Sequence, residues 1–370
     1  MSASLVTLLG AVSAVGVVIL YVVFGSPWKF RTVRGFPGLL NIGNTCFVNA
    51  LLQALAACPL FVAWVKHCVR NSSRCENRSL FATVSDVLTL LSSKASIADV
   101  VDPTAIVQAL LDIGWVIPVT EEQDSHEFFH VLVSALCEDG HCKGLNMVTS
   151  AWPSLSLNHS SDGVLQERVR AGQASPFHGT LASCLIHTTS QRKLPIKYDG
   201  FDSISVSLPR DVGVVTIERC LHCYVQSEVV QLKSDEVPVP SPSAYFKRLR
   251  FGKLPKCLAI HVQRTYWHAR GTPFKDNTHV QFPHKLDMAP FVHNKTKRKS
   301  LYQLKSVICH VGDVFSGHFI TYRRLIVDSS ATDHSVSSQW LYASDSTVRP
   351  ALCQEVESAV AYMLFYEQVL

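Results

Sequence analysis

Apolar positions along this chain follow three successive patterns. From Met1 to Trp28 there is no charged residue, and Leu5 to Phe24 form one apolar run, LVTLLGAVSAVGVVILYVVF. Its length matches the roughly 20 residues needed to span the hydrocarbon of a bilayer as a helix. From there to about residue 140, apolar residues recur three and four apart. They do so in CFVNALLQAL after Thr45, SLFATVSDVLTLLSS (79–93), PTAIVQALLDI (103–113) and TEEQDSHEFFHVLVSALCE (120–138). That spacing predicts helices. Pro59 punctuates the first run before Phe61, Trp64 and Val65 resume it, Pro103 marks a helix start, and Thr120 with Gln123 forms a capping-box signature. The remainder changes to alternating or continuous β-type runs at 178–189, 201–208, 256–263, 302–311, 318–324, 339–344 and 361–368. ERCLHCYV is a helical interruption, and SDEVPVPSPS (234–243) is a proline-rich loop.

A helical half followed by a strand half predicts an α+β fold with a cleft between the halves. With 370 residues, 47% of them hydrophobic and 17% charged, the chain can bury a large core and is not disordered. A formal charge of +5 is mild, and no basic stripe interleaved with aromatics is present, so nucleic acid is not an expected partner. The basic cluster NKTKRKS (294–300) is expected to be a solvated loop. Twelve cysteines are scattered through the chain, several within helical apolar patterns, which fits reduced cytosolic thiols better than a disulfide framework. Four glycosylation sequons, at Asn71, Asn77, Asn158 and Asn294, would matter only in a luminal domain.

The N-terminal run has no basic residue before it and is too long for a cleaved signal peptide. Lys29, Arg31 and Arg34 follow it instead, and basic flanks stay on the cytoplasmic side. The expected layout is a short tail (1–4), a transmembrane anchor (5–25), a basic linker (26–35) and a cytosolic domain (36–370). The moderate hydrophobicity of the run suits the mitochondrial outer membrane and the endoplasmic reticulum alike.

Cys46 stands where a polar, glycine-bearing loop, NIGNT, becomes a helix. The unpaired N–H groups and the dipole at a helix start favour a thiolate, so Cys46 is a candidate nucleophile. A base is expected from the other half of the chain. His318, which follows a glycine and opens a strand in SGHFITYRR, is the candidate.

These segments together carry a resemblance. GLLNIGNTCFVNALLQAL (38–55) is similar to the cysteine box of the ubiquitin-specific proteases, EEQDSHEFF (121–129) to their glutamine-aspartate box, and SGHFITYRR with QWLYASDSTV (339–348) to their histidine box. The order is the family's, and FHGTL, FDSISVSLP, LPKCLAIHVQR and AYMLFYEQ extend the match across about residues 36–368. The resemblance implies a papain-like fold with a helical thumb, a β-rich palm and reduced fingers. It implies a thiol-dependent deubiquitinase that cleaves isopeptide bonds at the ubiquitin C-terminal glycine, with ubiquitin and ubiquitinated proteins as partners. With the N-terminal span, it is nearest to the family's branch anchored in the mitochondrial outer membrane, which implies a role opposing mitophagy.

The resemblance makes Cys46 the nucleophile and His318 the base. It makes Asn41 a donor to the oxyanion beside the Cys46 backbone N–H, and Gln123 and Asp124 contacts for the ubiquitin tail. In most of the family an Asp or Asn orients the histidine and an Asp follows it; here the pair is Ser344 and Asp345. Ser344 takes the orienting position, and Asp345 is expected to point to the other face of a continuing strand in a supporting role. Many members also hold zinc on two C-x-x-C pairs in the fingers. Here Cys184 and His187 stand near the first pair, but Cys220 and Cys223 lie in the helical ERCLHCYV before the place of the second, and VVQLKSDEVPVPSPS has none, so the site is expected to be lost and no cofactor is expected. Competing readings are a catalytically weak ubiquitin-binding scaffold at the membrane, a luminal papain-type protease and a purely structural membrane-tethered protein.

Overall fold

The computed structural model describes residues 36–71, 79–92, 99–139, 174–210, 213–232, 243–268, 270–293, 300–325 and 339–369. The expected anchor and linker, three of the four sequons, the basic cluster at 294–299 and most of the proline-rich loop lie outside these residues. The chain divides into residues 1–33 and 34–370, and everything described belongs to the second part.

The helical half contains α1 (Cys46–Ala56), α2 (Pro59–Asn71), α3 (Leu80–Ser92), α4 (Thr104–Asp112) and α5 (Ser125–Asp139). A short parallel pair, β1 (Gly38–Leu39) with β2 (Val100–Val101), lies among them. Every residue of α1 is buried, and α1 and α2 meet at a 94° bend where Pro59 begins the second helix. Among the described residues no single helix is long and apolar enough to cross a membrane.

The strand half is an eight-stranded sheet and a four-stranded sheet. The large sheet runs β15 (Thr347–Ala351), β14 (Trp340–Ser344), β13 (Gly317–Arg324), β12 (Leu301–Gly312), β16 (Ala361–Gln368), β8 (Cys257–Gln263), β5 (Ser203–Ser207), with β11 (Lys285–Asp287) also on β12. Its neighbours are antiparallel except β5 beside β8. The smaller sheet has the order β4 (Lys197–Phe201), β3 (Gly179–His187), β7 (Ser243–Lys253), β6 (Glu228–Leu232). A helix, α6 (Ile217–Tyr224), a hairpin of β9 (Thr265–Trp267) with β10 (Pro273–Lys275), and a short α7 (Cys353–Glu357) complete the described elements named here.

The large sheet is buried on both faces, which explains its continuous apolar runs. Cys257 and Ala259 of β8, with Met363 and Phe365 of β16, pack toward the helices. The alternate residues Leu258, Ile260, Val262 and Leu364 pack into a second core with α6. Buried hydroxyls tie α1 to this sheet: Thr321 donates to the Ala50 carbonyl at 2.7 Å and Ser306 to the Ala54 carbonyl at 3.0 Å. Net contributions of about 1 kcal/mol each matter less here than the fixed placement of the helix.

The expected capping box at Thr120 is not used. Helix α5 begins at Ser125, and Asp124 caps it by accepting from the His126 and Glu127 N–H groups at 2.6 and 3.1 Å. The reason is local: the Val119 and Thr120 carbonyls, which an earlier start would draw on, are taken by Asn44 at 2.7 and 2.8 Å.

Candidate active site

Cys46 is the first residue of α1, and Asn41 organises the loop ahead of it. Asn41 Oδ1 accepts from the Gly43 N–H, the Thr45 N–H and the Thr45 hydroxyl, each at 3.2 Å. Its Nδ2 donates to Asp345 Oδ2 at 2.9 Å. The loop passes so close to residue 119 that a Cβ on Gly43, whose φ is +151°, would lie 2.3 Å from the Val119 carbonyl oxygen. Only glycine fits there.

A polar stripe follows on the buried helix. Thr45, Asn49 and Gln53, spaced four apart and all but inaccessible to solvent, form one ridge. Asn49 Nδ2 donates to Asp345 Oδ1 at 2.8 Å and to the Leu40 carbonyl at 3.2 Å, and Gln53 donates to the Pro37 carbonyl at 3.1 Å. Asp345 thus receives two amides, one on each oxygen, and its carbonyl accepts from the Leu39 N–H at 2.8 Å. The strand expected to continue through Asp345 instead ends at Ser344. Residues 345–346 form a tight turn with Asp345 at φ +46°, and this aims the carboxylate at the cysteine loop. Nothing in residue spacing predicted that partnership, although two amides inside an apolar helical run were a visible signal.

Burial pushes the Cys46 thiol above its ordinary range; the backbone N–H groups of Phe319 and Phe47 oppose this, while the Asp345 and Glu122 carboxylates add to it. The helix start therefore does not supply a thiolate by itself, contrary to the expectation from position, and a proton acceptor is needed. His318, the neighbour of Phe319, opens β13 and lies with its Nε2 2.8 Å from Ser344 Oγ. Cys46, His318, Ser344, Asn41 and Asp345 are thus assembled at one place from three separated segments. Glu122, which the sequence reading passed over, accepts from the Gly317 N–H at 2.9 Å and the Ser316 hydroxyl at 3.3 Å, fastening the loop before His318 to the segment before α5.

Gln123 is half-buried just ahead of α5. Asp124 is committed internally: besides capping α5 with one oxygen, it accepts a hydrogen bond from the Tyr362 hydroxyl on the other. Beneath it lies a histidine cluster that sequence reasoning missed. His126 and His130, four apart on α5, each approach Ser203 Oγ at 2.8 Å, and His261 approaches Ser205 Oγ at 3.0 Å. The His126 and His261 rings stack with centroids 4.1 Å apart, and Tyr362 lies edge-on to His261. Burial, followed by the charge of its neighbours, lowers His126 to about 2 and His261 to about 3, and burial also lowers His130. All three are neutral at physiological pH.

The residues considered for zinc do not fit the ion. Cys184 sits on β3 opposite Arg248, His187 Nδ1 accepts from the Ser190 N–H at 3.1 Å, and Cys220, on the buried face of α6, has its thiol pushed up to about 11 by burial. Among the described residues these donors do not converge. The ten cysteines described are all free thiols.

Comparison with known proteins places this geometry in context. The profile of the family described as "Ubiquitin carboxyl-terminal hydrolase" matches residues 37–366. The chain is 31% identical to ubiquitin carboxyl-terminal hydrolase 30 of Homo sapiens, over 98% of this chain and 90% of that protein. It is 30% identical to the protein of the same name from Danio rerio, over 98% and 91%. Among solved structures, the SAGA Ubp8/Sgf11/Sus1/Sgf73 DUB module bound to ubiquitin aldehyde superposes with a TM-score of 0.69 at 22% identity, covering 93% of this chain and 72% of that one.

Proposed function

Because the chain belongs to the ubiquitin carboxyl-terminal hydrolase family and is a cysteine-type ubiquitinyl hydrolase, we propose that it acts at the mitochondrial outer membrane, removing ubiquitin from proteins there and so opposing mitophagy. The uncharged run followed by Lys29, Arg31 and Arg34 supports a single-pass anchor with the catalytic domain in the cytosol. The names of the relatives support the choice of branch.

In the proposed reaction His318 takes the Cys46 proton, and the thiolate attacks the carbonyl carbon of the ubiquitin C-terminal glycine. The tetrahedral intermediate collapses, its C–N bond breaks, and His318 returns the proton to the leaving lysine amine. A water, deprotonated by His318, then hydrolyses the thioester and frees the ubiquitin carboxylate. Asn41 Nδ2 carries two hydrogens; one is spent on Asp345 and the other serves the oxyanion together with the Cys46 N–H. Ser344 holds the imidazole, Asp345 holds Asn41, and Gln123 with Asp124 shapes the entrance for the ubiquitin tail. Protein groups alone carry these steps.

The observation that carries this reading is the thiol at the start of a wholly buried helix, set against the first turn-side residues of β13, where His318 stands second. A ubiquitin probe with a C-terminal electrophile should label Cys46 and nothing else; labelling that survives Cys46→Ala refutes it. The full chain should resist alkaline extraction from mitochondria while its catalytic domain is digested by protease added to intact organelles. Digestion only after membrane rupture refutes the topology. A second reading, the weakly catalytic scaffold, is favoured by a serine standing where a carboxylate would stabilise an imidazolium. Probe binding without turnover would select it.

A further inference from the structure

Away from the cleft, three side chains of different donor type meet at the surface. Cys353 and Glu357, four apart on α7, share one face of that helix, and His284 reaches them from the segment before β11. The donor atoms form a triangle. His284 Nε2 lies 3.0 Å from Glu357 Oε1 and 3.3 Å from Cys353 Sγ, and Cys353 Sγ lies 3.4 Å from Glu357 Oε1. Among the described residues this is the one group of three metal-ligating side chains whose donor atoms lie within 4.8 Å of one another.

A tetrahedral zinc ion with bonds of about 2.0–2.1 Å to nitrogen, 2.0–2.2 Å to oxygen and 2.3 Å to sulfur needs donor–donor edges of roughly 3.3–3.6 Å. The observed edges are shorter by only a few tenths of an ångström, as expected of donors held together by hydrogen bonds before a cation parts them. We propose that His284, Cys353 and Glu357 form a binding site for a borderline-soft divalent cation of the zinc type, with water as the fourth ligand.

The surroundings hold the donors ready. The Glu357 carbonyl is bonded to His279 Nε2 at 2.8 Å, Glu355 of the same helix is paired with Arg349 of β15, and the His284 carbonyl accepts from the Leu304 N–H at 2.9 Å. On binding, the Cys353 proton leaves to solvent, and the thiolate and carboxylate together neutralise the dication. The ion clips α7 to a segment about 70 residues earlier in the chain, on the far side of β15 from the turn that carries Asp345. Its role is structural.

Cobalt(II) titration of the purified full chain tests this. The expected result is one equivalent bound, with the near-ultraviolet thiolate-to-cobalt absorption of a tetrahedral site. That absorption should disappear in Cys353→Ser and persist in Cys46→Ser and Cys223→Ser. His284→Gln should weaken binding at least about tenfold, and zinc should raise the melting temperature of the parent but not of Cys353→Ser. Absence of the absorption in the parent, its survival in Cys353→Ser, or its loss in Cys46→Ser or Cys223→Ser overturns the proposal.

Discussion

Two histidine–serine constellations stand within this fold, and they are made of the same parts. At the cleft, His318 meets Ser344 at 2.8 Å; beneath Asp124, His126 and His130 meet Ser203 at 2.8 Å and His261 meets Ser205 at 3.0 Å. What differs is the setting. His318 is half-buried near the start of β13, next to Phe319, whose N–H faces the Cys46 thiol, and the Asp345 and Glu122 carboxylates act on that thiol. The other three are half-buried between α5, β5, β8 and β16, where desolvation and, for His126 and His261, the charge of neighbouring histidines hold them neutral. Hydrogen-bond length does not separate the two constellations; their neighbours do.

The sharpest way to break this contrast is to remove one histidine from each side. His318→Ala should lower kcat/KM by about 10²- to 10⁴-fold, the cost of losing a positioned general base, with the melting temperature nearly unchanged. His126→Ala should do the reverse, lowering stability while folded molecules keep most of their turnover. If His126→Ala proves as damaging to kcat as His318→Ala in molecules that remain folded, the histidine cluster beneath Asp124 takes part in catalysis and the distinction fails.

The next effect in size concerns Asn41 and Asp345. Loss of one oxyanion donor costs about 10²- to 10³-fold in kcat, so Asn41→Ala should fall in that range. Asp345 acts through Asn41 and Asn49, which makes the two substitutions non-additive: Asn41→Ala with Asp345→Ala should be little worse than Asn41→Ala alone. Multiplying effects in the double-mutant cycle would mean that Asp345 works independently, for instance on His318.

These partnerships mark where the sequence stopped being readable. Period and punctuation located α1, α3, α4 and seven strands to within a few residues, because strands buried on two faces, helices buried on one and the wholly buried α1 leave strong apolar signals. β4, β6, β7 and the β9–β10 hairpin went unread, being edge or partly exposed strands whose polar residues break the alternation. The candidate site residues came from matched segments, and the structure gathers Cys46, His318, Ser344, Asn41 and Asp345. What could not be read was the link from Asp345 to Asn41, which depends on a turn at Ser344. Nor could the internal commitment of Asp124 to Tyr362 be seen, since it joins residues 238 apart.

A smaller effect tests the cluster beneath Asp124 by pH. His261 is lowered to about 3 by burial, followed by the charge of His130, whereas in the unfolded chain it titrates near its ordinary 6.5. Between those values the unfolded state binds a proton that the native state does not. Lowering the pH from 6.5 therefore destabilises the fold by about 1.4 kcal/mol per pH unit for that residue. In urea unfolding, His261→Gln should be less stable than the parent at pH 7.5, and its stability should fall less steeply by pH 5.5. An unchanged slope would mean that His261 is solvated enough to take its proton in the native state.

The smallest expected effect lies at the cleft and decides what Ser344 does. A neutral hydroxyl–imidazole hydrogen bond contributes about 0.5–1.5 kcal/mol, so Ser344→Ala should slow turnover roughly two- to tenfold, far less than His318→Ala. Ser344→Asp separates holding from charge. If Ser344 only orients the ring, the aspartate restores parental turnover without exceeding it. If turnover is instead limited by an unstabilised imidazolium, the aspartate should raise kcat above the parent and move the pH–rate profile, because a carboxylate beside His318 favours its protonated form. Kinetics of the parent and these two variants on one ubiquitin substrate across pH resolve the alternatives. Parental activity in Ser344→Ala with severe loss in Asp345→Ala would transfer the orienting role to Asp345, and the contrast between the two constellations would then rest on Asp345 rather than on Ser344.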